Sequence, residues 1–335
     1  MATIRQIADY TNLSPSTVSI VLNGKSGTRN ISEKTVNKVL DAAKELGYTP
    51  NISARRLRNN NAKKYIIVFW ANDFRAPLLF DFINGMQQYI EDTQTDTEIV
   101  LRLFTPDFLY KSIEPETLSM YSAAVVCTAS KKDLDYLEKT EFTAPIVLYN
   151  RFSEKYCNVL VDNYEIGIKA AEIFAEHNNK RAVIFTAQDG HYIYSEKRMS
   201  GFMKAFGEYG GITTVVNAPK NTARSAYDTI KQTESMFGSA DCVFCLHDTL
   251  AISYLDYIRN TNLVSVPDNQ EIISIGTNDS EVYEGLHIPL SVIKIPINEM
   301  GKECMHIIIE KINGTYDDIE SKVIAFEYSS RSTCR

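Results

Sequence analysis

Residues 3–23, TIRQIADYTNLSPSTVSIVLN, hold two short amphipathic segments joined by a tight turn, and no other stretch limits the fold as strongly. Thr3 followed by Gln6 has the spacing of a capping box. Ile4, Ile7 and Ala8 share one helical face. Asn12 follows the first helix, and Asn tolerates the left-handed backbone that such a turn needs. Ser14 is placed to cap a second helix, with Pro15 at its first position, where a missing N–H is harmless. Val18, Val21 and Leu22 give that helix an inner face, and Asn23-Gly24 ends it. Small polar residues at an exposed start of the second helix make the unit a helix-turn-helix, which points to DNA.

Charge supports the same reading. The net charge of −7 hides an asymmetry. Residues 1–64 carry eleven Lys and Arg against four Asp and Glu, a net of +7, and the remainder carries −14. A basic head on an acidic body suits a polyanion bound by the head alone. A third helix follows from a Ser32 cap, with Val36, Val39, Leu40, Ala43 and Leu46 as its apolar stripe and Gly47 past its end. Three short helices give only a minimal core.

From Tyr65 the pattern changes to alternating strands and helices. Tyr65–Trp70 is a continuous apolar run, as a parallel strand covered on both faces would be. Strands are expected at 98–104, 123–127, 146–149, 182–186, 213–217, 242–246, 272–275 and 322–328. Helices are expected at 79–91, 132–139, 164–177, 196–209, 223–236, 249–260 and 299–313. The rhythm is that of α/β sheets, run through twice.

At 335 residues the chain has room for two or three domains. It shows neither an apolar run of about 18 residues nor an apolar leader segment, so a membrane span and a secretory signal are not expected and a cytoplasmic setting is. The six cysteines are scattered and read as reduced thiols. Cys242-x-x-Cys245 with His247 nearby has metal-ligand spacing, but its flanks read as a buried strand and no second ligand pair is evident. No metal or cofactor is expected. The chain has no G-x-S-x-G, no P-loop and no acid/base constellation, so an enzyme is not expected.

Several separate signatures occur in order. They are an Ile-Ala pair before Ser16-Thr17-Val18-Ser19-Ile20-Val21-Leu22-Asn23-Gly24, then Ile31-Ser32-Glu33-Lys34-Thr35, then Leu46-Gly47-Tyr48-Thr49-Pro50-Asn51. Later come Val161-Asp162-Asn163-Tyr164, Arg198-Met199-x-Gly201-Phe202, Leu246-His247-Asp248, Ile275-Gly276-Thr277-Asn278-Asp279 and Pro289-Leu290-Ser291-x-Ile293. Together they resemble the lactose/galactose repressor (LacI/GalR) family of transcriptional regulators over almost the whole chain.

The resemblance implies an all-α helix-turn-helix headpiece (1–50), a hinge helix and linker (51–64), and a two-lobed α/β body of the periplasmic-binding-protein kind, with parallel sheets and helices on both faces. Lobe one would be 65–162 and 292–328, and lobe two 163–291. The expected partners are double-stranded operator DNA, a small effector and a second copy of the chain, with no membrane partner. The expected function is a DNA-binding regulator, a repressor of a palindromic operator. A solute-binding or sensor protein is the alternative.

DNA contacts are expected from Thr3, Arg5, Ser14, Pro15, Ser16, Thr17, Ser19, Ile20, Asn23 and Asn30. Hinge contacts are expected from Asn51, Ala54, Arg55, Leu57 and Arg58, with Leu57 at the family's minor-groove wedge position. The recognition helix offers few bidentate donors: Pro15 has none and Ile20 only apolar contact. In the cleft the resemblance assigns Phe74, Arg75, Ala76, Pro77, Phe80 and Asn150 to lobe one and Arg198, His247 and Asn278 to lobe two, with Ile297 near the last crossover. Family members that bind neutral sugars usually have carboxylates where this chain has Asn150 and Asn278. With Arg75 and Arg198 facing the cleft, the expected effector is a sugar, a sugar phosphate or a similar polar molecule, and an anionic one fits.

Overall fold

The structure is a computed structural model, and it describes residues 4–22, 31–46, 63–72, 76–188, 193–277, 280–315 and 318–334. The chain divides into two units, Met1–Ala62 and Lys63–Arg335.

The first unit contains α1 (Ile4–Thr11), α2 (Pro15–Leu22) and α3 (Glu33–Glu45). Local signals set their ends. Asn12 takes φ 47°, and Leu13 N–H closes back on Ala8 O at 3.0 Å. Ser14 Oγ accepts from Thr17 N at 3.1 Å, so the α2 cap is formed. Ser32 Oγ accepts from Thr35 N at 3.4 Å at the start of α3. The three helices meet at Ile7, Ala8, Val18, Val21, Val39, Ala42 and Ala43. Leu40, expected in this stripe, is 48% exposed, and Ala42 faces the core instead. At about 100° per residue, the inner face of α3 lies nearer Val39, Ala42 and Ala43 than Leu40.

The body runs β1 (Lys64–Ala71), α4 (Ala76–Thr93), β2 (Thr97–Phe104), α5 (Pro115–Leu118), β3 (Ala123–Cys127), α6 (Lys131–Lys139), β4 (Ile146–Tyr149) and β5 (Cys157–Leu160). It continues with α7 (Asn163–Glu176), β6 (Arg181–Ala187), α8 (Ile193–Glu208), β7 (Ile212–Ala218), α9 (Ala223–Gln232), α10 (Glu234–Gly238), β8 (Cys242–Cys245), α11 (Asp248–Thr261) and β9 (Glu271–Gly276). Last come α12 (Ser280–Glu284), β10 (Ser291–Lys294), α13 (Ile297–Asn313), β11 (Ser321–Val323) and β12 (Glu327–Ser329).

These strands form two six-stranded sheets, in the orders β11-β5-β4-β3-β1-β2 and β12-β10-β9-β8-β6-β7. Every pairing is parallel except β10 with β12. The central strands β1, β3 and β8 are buried almost throughout, because helices cover both faces. One apolar cluster runs through both lobes, from Trp70, Phe82 and Tyr149 to Phe202 and Phe244.

The structure corrects four sequence expectations. Residues 322–328, expected as one strand, are two strands in different sheets, joined by a crossing at 324–326 whose Ile324 and Phe326 pack on the shared core. Residues 292–294, expected in lobe one, pair with β9 in lobe two, and so does the C-terminal strand β12 through β10. The chain therefore passes between lobes three times: before α7, before α13 and after β11. The helix expected at 223–236 breaks at Thr233, which leaves helical geometry at φ −118°, ψ 24°. The segment after Ser329, expected to fray, is anchored: Thr333 and Cys334 are fully buried. Strands β5 and β10, four residues each, were not expected from the sequence.

Candidate nucleic-acid interface and effector cleft

In the first unit, Ser14, Pro15 and Ser16 at the start of α2 are exposed, and Thr17, Ser19 and Ile20 are half-buried. Ser14 and Thr17 also share a hydroxyl–hydroxyl hydrogen bond of 2.9 Å, which fixes the first turn. Thr3, Asn23, Asn30, Asn51, Ala54, Arg55, Leu57 and Arg58 lie outside the described residues, as does the side chain of Arg5.

In the body, a cleft of about 730 Å³, counting its solvent-open mouth, lies at the C-terminal ends of the strands of both sheets. Loops after parallel strands converge there, so residues distant in sequence become neighbours. Of the expected residues, Asn150, Arg198, His247 and Ile297 line it. Phe80 does not: it sits on α4 with 70% of its surface exposed. Phe74, Arg75 and Asn278 lie outside the described residues, as do the side chains of Ala76 and Pro77.

The polar wall is built from three places. Asn150 ends β4 at φ 48° and hands its N–H to Val159 O at 2.7 Å. The next residue, Arg151, donates from Nε to Ala129 O and from Nη1 to Asn150 O at 2.8 Å, and its guanidinium lies 5.0 Å from the Tyr194 ring centre. Arg198, on α8, donates from Nε to Asn163 Oδ1 at 2.8 Å. Among the described residues, its two terminal nitrogens have no acceptor and no carboxylate partner.

Burial lowers the pKa of Arg198 to about 10, and Tyr149 and Tyr194 offset part of that shift. Burial also lowers that of Arg151. On the facing wall, His247 precedes α11 and Asp248 opens it. Asp248 accepts from Tyr283 Oη at 3.0 Å, and Tyr283 Oη accepts from Thr277 N–H at 3.0 Å, so this carboxylate is tied into the lobe-two frame.

Two further polar atoms in the wall, Asn150 Oδ1 and Ser195 Oγ, are buried and have no hydrogen-bond partner among the described residues. Buried polar atoms are seldom left so, which suits a site that receives a polar ligand. Leu78, Tyr149, Leu246, Ile275, Ile295 and Ile297 supply the apolar wall.

Sequence reasoning missed Arg151, Tyr194, Ser195 and Asp248. Arg151 directly follows Asn150, and its adjacency to a strand end was the one available signal. Cys242 and Cys245 belong to separate apolar clusters on opposite faces of their strand, so they do not make a ligand pair. Among the described residues no helix is long and apolar enough to cross a membrane.

Comparisons with known proteins agree with both halves. Residues 3–51 match bacterial regulatory proteins of the lacI family, and residues 171–334 match the periplasmic binding protein-like domain. The chain is 26% identical to a sucrose operon repressor of Lactococcus lactis subsp. lactis over 329 residues, covering 95% of this chain and 96% of the relative. It is similar to a solved LacI family transcription regulator from Clostridium acetobutylicum, with a TM-score of 0.74 and 28% identity over 80% of this chain and 100% of that one. The lac repressor dimer bound to operator shares its fold, at a TM-score of 0.70 and 16% identity, over 99% of each chain. With a helix-turn-helix head and a two-lobed α/β body, the chain belongs to the lacI family of DNA-binding bacterial transcriptional regulators.

Proposed function

We propose that the chain is a ligand-responsive repressor that binds a palindromic operator as a homodimer and takes an anionic sugar derivative, or a similar small polar anion, in its cleft. In this reading residues 1–50 form the headpiece and 51–64 the hinge and linker. The start of α2 enters the major groove, and Leu57 wedges the minor groove of a kinked operator. The two-fold symmetry of a dimer matches the two half-sites of a palindrome. Support for the assembly comes from the lac repressor, which was solved as a dimer on its operator.

One observation carries the ligand class. Arg198 is buried in the cleft wall with its terminal nitrogens free of any acceptor among the described residues. A planar fork of donors in that setting pairs best with a carboxylate or phosphate, and Arg151 adds a second buried positive charge nearby. The ligand would satisfy Asn150 and Ser195 as it binds. Because Ile295 and Ile297, at the crossing into α13, line the cleft, ligand contacts on both walls would shift lobe closure, and with it the approach of the paired hinges.

The test is fluorescence anisotropy on an operator recovered by selection from random duplexes, at two salt concentrations, with wild type and Leu57→Ala. Tight, salt-steep binding that Leu57→Ala weakens, and that a phosphorylated or carboxylated sugar modulates, is expected. Tight binding of a neutral hexose with none of its phosphate would overturn the ligand class. Salt-steep binding unchanged by Leu57→Ala would overturn the wedge.

A further inference from the structure

Lobe two holds a second group of ligating atoms at the end of β9 away from the cleft. His177 follows the last turn of α7, Glu271 opens β9, and Cys334 lies in the anchored C-terminal segment. These three elements are distant in sequence, so local chain geometry did not force them together. One ligand atom from each lies within 4.8 Å of the other two. His177 Nδ1 stands 2.9 Å from each Glu271 carboxylate oxygen and 3.9 Å from Cys334 Sγ. Asn179 Nδ2 donates to Glu271 Oε2 at 2.7 Å and fixes the carboxylate from behind.

We propose that His177, Glu271 and Cys334 form a binding site for one divalent cation of the zinc class, clamping the C-terminal segment to β9 and α7. An imidazole, a carboxylate and a thiolate are the donor types that zinc accepts. Bonds of about 2.0–2.3 Å in a tetrahedron place such atoms about 3.3–3.8 Å apart. The two distances from His177 Nδ1, 2.9 and 3.9 Å, lie on either side of that range, and all three atoms lie within 4.8 Å of one another, so closure on an ion needs side-chain adjustment and no backbone rearrangement.

The surroundings also fit. Asn179 supplies the outer hydrogen bond that ligating carboxylates usually have. The His177 ring is partly exposed and gives the ion a route in, while the buried sulfur keeps the site closed behind it. A fourth position remains for water, or for Cys242, which is paired in register with Glu271 on β8. On binding a dication the Cys334 S–H proton would leave to solvent and the thiolate would pair with the metal.

The experiment uses the full-length protein, stripped by a chelator, kept reduced and titrated with Co²⁺ alone. A sulfur-to-cobalt charge-transfer band that saturates at one equivalent and is bleached by Zn²⁺ is expected. Zn²⁺ should also raise the melting temperature. Cys334→Ser should remove the band. His177→Gln, a change at a partly exposed ring, should weaken cobalt binding at least about tenfold. Cys157→Ser, in lobe one, should leave the spectrum unaltered. Absence of the band in wild type, or its survival in both Cys334→Ser and His177→Gln, would overturn the site.

Discussion

A Cβ added to Gly167 would stand 2.0 Å from the backbone carbonyl oxygen of Arg198. The contact is mutual, since one added to Gly201 would stand 2.1 Å from the carbonyl of Tyr164. Helices α7 and α8 therefore cross backbone on backbone. That crossing sets the depth of the Arg198 guanidinium in the cleft. Gly167→Ala cannot be relieved by turning a side chain, because the obstacle is main chain. The expected loss is about 2–3 kcal/mol of unfolding free energy, read by denaturant titration, with a weaker ligand response in the protein that remains folded. Unchanged stability would mean that the two helices slide without resistance and that Arg198 is not held by them.

Arg198→Met should separate stability from ligand response. The wild-type charge is buried without a carboxylate partner among the described residues, and burial lowers its pKa from the usual arginine value to about 10. Between those values the unfolded chain holds a proton that the folded one has released. The group's contribution to stability therefore rises with pH across that window and is unfavourable below it. An apolar side chain of similar length removes the cost but leaves Asn163 Oδ1 without its donor. The expected balance is a gain of about 1 kcal/mol at neutral pH. At the same time the ligand-induced rise in melting temperature should vanish. A destabilised variant that still responds to ligand would show that Arg198 is structural.

Local signals were legible in the sequence, and sheet membership was not. The Ser14 cap, the left-handed Asn12 and the Ser32 cap depend on a few adjacent residues, and each appears where the residue types place it. The run 322–328 has strand composition throughout. Nothing in its alternation says that its first part joins β5 and its last part joins β10, because that choice is made by packing. Phe80 shows the same limit on a helix: motif position assigns it to the cleft wall, yet its side chain is exposed, and the core takes Phe82 and Met86. In the cleft, Asn150 and Arg198 were found through motif position. Arg151 and Ser195 became visible only once the strand ends were brought together.

Acid sensitivity of lobe two should trace in part to Asp241. Its carboxylate accepts from Lys180 N at 3.0 Å, from Arg181 N at 2.9 Å and from Arg181 Nη2 at 2.6 Å. Burial pushes its pKa up, but the hydrogen bond from Arg181, the two backbone N–H groups and the Arg181 charge outweigh it, so the net shift is below 3.8. A lowered carboxylate pKa contributes stability that is complete above the unfolded value and is lost as pH falls through the folded one. Asp241→Asn should therefore cost about 1 kcal/mol at neutral pH, and the difference from wild type should shrink below about pH 4. A gap between the two proteins that stays constant from neutral pH down to acid unfolding would count against this assignment.

Ser291→Ala should loosen the C-terminal edge of lobe two. Its hydroxyl donates to Cys334 O at 3.0 Å and accepts from Arg331 N at 2.8 Å and Cys334 N at 3.1 Å. Beside it, Thr333 Oγ1 accepts from Ser291 N and donates to Ile272 O, each at 2.8 Å. One side chain thus holds together a segment whose sequence suggested a frayed end. Removing that hydroxyl leaves the N–H groups of Arg331 and Cys334 without their acceptor, while Cys334 O keeps Ser330 Oγ at 3.0 Å. The expected cost is about 2–3 kcal/mol, since unmade buried hydrogen bonds carry their full desolvation penalty. Hydrogen exchange should then quicken at β9, β10 and β12, and stay at wild-type rates in β1, β3 and β4. Even acceleration across both sheets would mean that the two lobes unfold as a single cooperative block and that the C-terminal segment is not a separable edge.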